Sequence, residues 1–164
     1  MSETVADLFK RISVGVYVVG VVGDERSNAF TAAWVTPVSF DPLLLALSIN
    51  PQHASYGLLR TGRVFSINVL SKDQLALAEH FGCPGRSDKL ATVAWQRGKT
   101  GAPLLDDVVA HFECETAAEY PAGDHVLILG KVVAGCLLRA DLEPLLYSDT
   151  GDMDGSAAIF PDCF

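Results

Sequence analysis

The chain has 164 residues, 49% of them hydrophobic and 20% charged, and a formal net charge of −8. That length and balance suit one compact domain with its own core and exclude a disordered chain. The acidic surplus argues against nucleic acid, which binds through a basic face, and no apolar run approaches the roughly 18 residues of a membrane-crossing helix.

The opening MSETVADLFKRI reads as an amphipathic helix with Val5, Leu8, Phe9 and Ile12 on one face, placed to cap a barrel end. It lacks the pattern of a secretory signal, so a cytoplasmic location is expected. Val14–Val22 is rich in β-branched residues and runs into polar Gly23–Ser27, a strand and its hairpin loop. Asn28–Phe40 reads as one strand and Leu43–Ile49 as the next, divided by Asp41-Pro42. His53–Thr61 has helical spacing and stops at Gly62, and Arg63–Leu70 is a further strand. Ser71 to Gln74 forms a capping box, Ser71 as N-cap and Gln74 at N3, opening a helix to about His80.

Residues 81–103 mix Gly, Pro and basic side chains without a period, and a loop of that length is more often functional than accidental. Val109–Tyr120 alternates, Phe112 and Cys114 on one side, His111, Glu113, Glu115 and Glu119 on the other, where they should be solvated. Pro121-Ala122-Gly123 turns the chain into the long apolar strand His125–Leu138, and Leu145–Tyr147 adds a short last one. The pattern predicts a β-dominated fold: a six- to seven-stranded antiparallel Greek-key barrel with two or three short helices. The run His125–Leu138 has little polar relief on either face, which predicts burial on both sides and a homodimer interface.

The stretch Asn28–Asn50 carries the strongest chemical signal. Thr31, Ala32, Ala33, Thr36 and Ser39 are small or hydroxylated, and small residues let a flat ligand lie against backbone N–H and C=O groups. Leu43–Ile49 ends in the polar loop Asn50–Tyr56, a place to hold a phosphate. The two together suggest a planar, phosphorylated cofactor; the same small residues also suit plain barrel packing.

Through Thr31-Ala32, Val38-Ser39, Asp41-Pro42 and Leu43–Ile49 the chain resembles the flavin reductase-like family, whose fold is an FMN-binding split β-barrel. Further matches follow in order: Ser66–Leu70 with Asp73-Gln74, Gly85-Arg86 with Asp88-Lys89, Gly101–Pro103, Gly123–His125 and Pro144–Tyr147. The resemblance implies one domain over 1–148, with 149–164 as a tail of the same domain. It also implies an NAD(P)H:flavin oxidoreductase that uses NADH or NADPH to reduce FMN, or FAD. Electrons would pass on to free flavin, a monooxygenase or other electron-transfer partner, or a ferric chelate.

By the same resemblance, backbone groups of Ala33, Trp34 and Val35 meet the flavin ring edge, with Thr31, Ala32, Thr36 and Ser39 around it. Asn50, His53 and Ser55 hold the phosphate. Where relatives often carry an arginine, this chain has Pro51–Ala54, so Arg86 and Lys89 are expected to supply the positive charge. His125 of Gly123-Asp124-His125 would seat the nicotinamide, while Asp124 should point the other way along the strand.

Two rival readings stand beside this one: a non-enzymatic FMN electron carrier reduced by a protein donor, and a barrel holding another planar ligand such as haem or a pyridoxal compound. There is no Rossmann fingerprint, nucleophile elbow or Walker loop. Cys83, Cys114, Cys136 and Cys163 read as thiols in a chain without a secretory signal. His111 and Cys114, three apart on a strand, face opposite ways and cannot share a metal ion, so none is expected. The tail Ser148–Phe164, acidic and then apolar, is expected to fold over the flavin site or onto the partner subunit, or to fray.

Overall fold

A computed structural model describes residues 3–86 and 88–164. Seven strands form one antiparallel sheet: β1 (Tyr17–Gly23), β2 (Arg26–Ala32), β3 (Val35–Phe40), β4 (Leu43–Ile49), β5 (Val64–Val69), β8 (Ala110–Ala122) and β9 (His125–Leu137). Their order is β2-β1-β5-β8-β9-β4-β3. A short pair, β6 (Trp95–Arg97) and β7 (Pro103–Leu105), lies apart, with helices α1 (Val5–Phe9), α2 (Ala54–Gly62) and α3 (Leu75–Gly82) around the sheet.

The expected single strand Asn28–Phe40 is two. β2 and β3 occupy opposite edges of the sheet although only Ala33 and Trp34 separate them. The step from Ala32 to Val35 spans at most about 10 Å, so the two edges meet there and the sheet rolls into a barrel. No ladder joins β2 to β3 among the described residues, so the barrel is split along this seam. At the kink the Val35 amide turns back onto Ala33 O at 3.0 Å, and Trp34 O accepts from the Ser48 amide of β4 at 3.0 Å.

β1 is the strand buried on both faces, which is why YVVGVVG is nearly all apolar. Val19 and Val21 face the barrel interior with Phe30, Leu47, Phe65 and Ile128. Val16 and Val18 face outward onto Ala78 and Phe81 of α3 and onto Leu105 of β7. Gly20 admits that close crossing, because a Cβ there would stand 2.6 Å from Pro103 O. Asn68, fully buried on β5, donates to Val18 O at 3.0 Å and accepts from the Leu105 amide at 2.9 Å, tying β7 to the sheet.

Several expectations are corrected. α1 ends at Phe9, capped by the reciprocal Thr4–Asp7 box, so Val5 and Ala6 are buried while Leu8, Phe9 and Ile12 are exposed. α3 opens at Leu75 rather than after Ser71 and runs on to Gly82. Ser71 instead bridges to Pro144, and only half of the capping box forms, Gln74 Oε1 accepting from the Ser71 amide at 2.9 Å. Residues 81–103 hold a 3₁₀ turn, Lys89–Thr92, as well as β6. The β8–β9 ladder is bulged twice, with Val133 of β9 extra opposite Glu113/Cys114 and Ala117 of β8 extra between Thr116 and Ala118. Glu113 lies opposite Phe112 and Cys114 as expected but is buried, not solvated, because the β6–β7 loop covers it, its Oε1 accepting from the Thr100 amide at 2.8 Å and hydroxyl at 2.9 Å. His111 is half-buried, and burial pushes the Cys114 thiol up to about 12.

Within one chain β9 is covered on one face only. Val126, Ile128 and Val132 point into the core, and the alternate residues Leu127 and Leu129 stay half-buried on the outside. The expected last strand at Leu145–Tyr147 is reduced to a single bridge, Gly15 to Leu146, followed by a 3₁₀ turn over Tyr147–Thr150. No helix among the described residues is long and apolar enough to cross a membrane.

Candidate functional site

The seam residues Ala33 and Trp34 stand between two cavities. The smaller, of about 370 Å³, is walled by Thr31, Ala32 and Ala33, by Glu79 and Gly82 of α3 with Cys83 and Pro84 after it, and by Tyr147, Met153 and Asp154. Small side chains on β2 leave this backbone accessible, and with the Val35 amide bonded to Ala33 O the amides of Ala33 and Trp34 are the donors offered at the corner. The Thr31 hydroxyl is already engaged, donating to Ala78 O at 2.6 Å, so it anchors α3 against β2.

The larger cavity, of about 680 Å³, opens on the other side of Trp34. Its walls are Asn50, Pro51 and Gln52 after β4, Tyr56 of α2, and the tip of the β8–β9 hairpin from Glu119 to Val126. The hairpin turn is tight: Ala122 pairs with His125, and Gly123 takes the left-handed φ of +67° that such a turn requires. His125 Nδ1 lies 2.7 Å from Asp124 Oδ1, and its ring meets Trp34 at 5.1 Å between centroids. Asp124 reaches His125 because it sits in the turn, where strand alternation does not apply, contrary to expectation. The hydrogen bond from His125, and then its charge, hold the Asp124 carboxyl below the usual range.

The loop after β4 is organised by its own polar groups. Asn50 Oδ1 accepts from the Gln52 amide at 2.9 Å, and His53 caps α2, its Nδ1 accepting from the Ser55 amide at 3.1 Å. The His53 ring packs on Phe30 at 4.5 Å. Burial, and then the nearby Lys89 charge, lower the His53 pKa from 6.5. Ser55 is fully buried and its hydroxyl accepts from Asn28 Nδ2 at 2.9 Å, so it braces β2 against α2.

Lys89 is buried, its ammonium donating to Phe81 O at 3.0 Å, and desolvation chiefly lowers its pKa. Arg86 is exposed and pairs with Asp88 at 3.6 Å. Thr36 and Ser39, on the outer edge strand β3, line neither cavity, and Thr36 Oγ1 bonds Pro37 O at 3.3 Å. Val35 belongs to the core. The structure thus gathers Thr31, Ala32 and Ala33 at one cavity, Asn50 and His125 at the other, and Trp34 between them.

Sequence reading missed Glu79 and Asp154 as wall residues. Tyr147 lay in the Pro144–Tyr147 match and Asp124 in the Gly123–His125 match, neither of which gave it a place in a cavity wall. The tail folds back on the body: the Tyr147 hydroxyl donates to Asp154 Oδ2 at 3.1 Å, and Phe160 meets Phe9 at 4.9 Å.

A family model described as "Flavin reductase like domain" matches residues 9–156. The chain is 37% identical over 130 residues to "Probable flavin reductase" of Rhizobium meliloti, covering 76% of this chain and 42% of that protein. It is 35% identical over 127 residues to the reductase component of a flavin-dependent trigonelline monooxygenase of Acinetobacter baylyi, covering 77% and 41%. The chain therefore spans less than half the length of these curated relatives. Among solved structures it matches the NADH:FAD oxidoreductase SgcE6 of Streptomyces globisporus at 33% identity and a TM-score of 0.78, over 87% of this chain and 86% of that one.

Proposed function

Given that the chain belongs to the flavin reductase-like family, we propose that it binds FMN, or FAD, across the Ala33–Trp34 corner and catalyses hydride transfer from a nicotinamide nucleotide to that flavin. The observation that carries this is the corner itself: accessible backbone at the barrel seam, with the His125–Trp34 pair on one side and a cavity on the other. A bound flavin supplies the hydride acceptor and electron store that no side chain here provides.

The Ala33 and Trp34 amides bond the ring edge. Asn50 and the positive end of α2, capped by His53, face the phosphate, aided by the Lys89 charge behind His53. Ser55 acts by holding β2 and α2 together, and Thr36 and Ser39 by shaping the edge strand beside the ring. His125, oriented by Asp124, seats the nicotinamide; stacking and distance govern the transfer, so neither residue needs to act as an acid or base. The tail belongs to the same domain, since its Met153 and Asp154 wall the smaller cavity.

A second copy of the chain covers the outer face of β9 and β4, and electrons pass to free flavin or a monooxygenase partner. The working location is the cytoplasm, where reduced nicotinamide nucleotides are held. Anaerobic mixing of the FMN-loaded protein with excess NADH, and separately NADPH, tests the reading through the flavin absorbance band. Bleaching should outpace that of free FMN, and His125→Ala should slow it by roughly tenfold or more with flavin still bound. Bound flavin that neither donor bleaches would leave an electron carrier instead.

A further inference from the structure

Trp34 is held tightly through its backbone and loosely through its side chain. The Val35 amide bonds Ala33 O on one side of it, and Trp34 O accepts from the Ser48 amide of β4, which fixes the main chain at the seam. The indole is 48% exposed and lies outside both core clusters. It rests on the His125 ring, at 5.1 Å between centroids and 48° between planes.

His125, by contrast, is nearly enclosed. Asp124 Oδ1 stands 2.7 Å from its Nδ1, the indole lies against the ring, and 22% of the side chain stays exposed. That remainder is less than one face of the ring, so a second planar group reaches His125 only where the indole now sits. His125 is also part of the wall of the larger cavity, together with Asn50 and Tyr56, so a ligand in that cavity arrives at this pair.

Two planar groups cannot share one ring face. Building on the reductase reading above, in which His125 seats the nicotinamide, we propose that Trp34 is a positioning residue for the donor: its indole holds that seat in the unliganded protein and turns out toward solvent when the nicotinamide takes its place. Little opposes the rotation. A single aromatic pair adds only a modest attraction to its buried area, and exposed side chains change rotamer within nanoseconds. The pinned backbone keeps the Ala33 and Trp34 amides in position while the indole turns. The indole thereby covers the corner between turnovers and yields faster than the transfer itself.

The test titrates NAD⁺, and separately NADP⁺, into the FMN-saturated protein by calorimetry, which reads binding without turnover. Trp34→Ala should bind the preferred nucleotide roughly two- to tenfold more tightly than the wild type, the worth of one aromatic pair that no longer has to be displaced. Trp34→Phe, which leaves a smaller ring on His125, should fall between the two. His125→Ala should move the other way and bind more weakly. With the reduced nucleotides, Trp34→Ala should lower KM by a similar factor while kcat changes less, a split that loss of structure does not produce.

Trp34 and Trp95 are the two tryptophans of the chain, so Trp95→Phe leaves Trp34 as the reporter. Saturating nucleotide should shift its emission to longer wavelength as the indole turns into water. Weaker or unchanged binding in Trp34→Ala, or an emission that stays in place or moves to shorter wavelength, would overturn the gate and leave the reductase reading standing. A wild type that binds neither nucleotide and bleaches with neither donor would remove the reductase reading, and the gate with it.

Discussion

His53 joins three contacts at the start of α2: it accepts the Ser55 amide, packs on Phe30 and feels the Lys89 charge. Its depressed pKa means that the unfolded chain takes up the proton more readily than the folded one. The stability contributed by neutral His53 is therefore full above 6.5 and is lost as pH falls through that value toward the lower folded one. Protonated Nδ1 also cannot accept the amide. Thermal melts between about pH 5 and pH 8 should show this loss, and His53→Asn, which keeps a capping acceptor, should flatten it; an unchanged slope would refute the assignment. Small residues at 31–33 were readable as accessible backbone because size is a property of the letter. That Ser55 faces inward and that Asp124 meets His125 depends on helix phase and on turn geometry, which the letters do not show.

The same limit governs whole elements. The strands were legible as apolar or β-branched runs bounded by turn residues, as in Leu43–Ile49 and Arg63–Leu70. On β8 Phe112 and Cys114 do face the core, but the outer face is covered by the β6–β7 loop, a long-range contact that period two does not show. Glu113 consequently serves as a clasp between β8 and the β6–β7 loop, satisfied by both donors of Thr100. Glu113→Ala leaves those donors unpaired in a part-buried place, a loss of about 2–3 kcal/mol. Calorimetry should then find a melting temperature lower by about 5–10 °C, while Glu115→Ala, exposed on the same strand, should leave it nearly unchanged. Equal effects would mean that the Thr100 contact is incidental. The kink at Ala33-Trp34 was hidden for a related reason: every residue from Asn28 to Phe40 tolerates extended backbone, so nothing local marks where one edge of the sheet becomes the other.

At the scale of the molecule, β9 was read as buried on both faces, and in one chain it is not. Leu127, Leu129 and Leu44 share the outer face with Ser48 and Lys131, Ala46 beneath them is buried at 3%, and Val38 at 49% and Tyr120 at 54% exposure flank them. An apolar face of this kind on a chain without a covering helix there calls for a partner surface, and two-fold pairing of identical faces is the commonest solution. Sedimentation should give twice the 17.5 kDa chain mass, and Leu129→Glu should return it to one chain. A wild-type monomer at micromolar concentration would sink the dimer.

A barrel left open along β2 and β3 is a sheet with two free edges, and such edges open locally before the rest of a protein does. Whatever rests on Ala33 and Trp34 touches the only covalent link between those edges. Ligand binding and barrel closure then become one equilibrium, in which occupancy stabilises the closed form in proportion to the logarithm of ligand over its dissociation constant. The unliganded chain is correspondingly the better protease substrate. Cellular lifetime of this protein would then follow the supply of its cofactor, with the seam acting as the gauge.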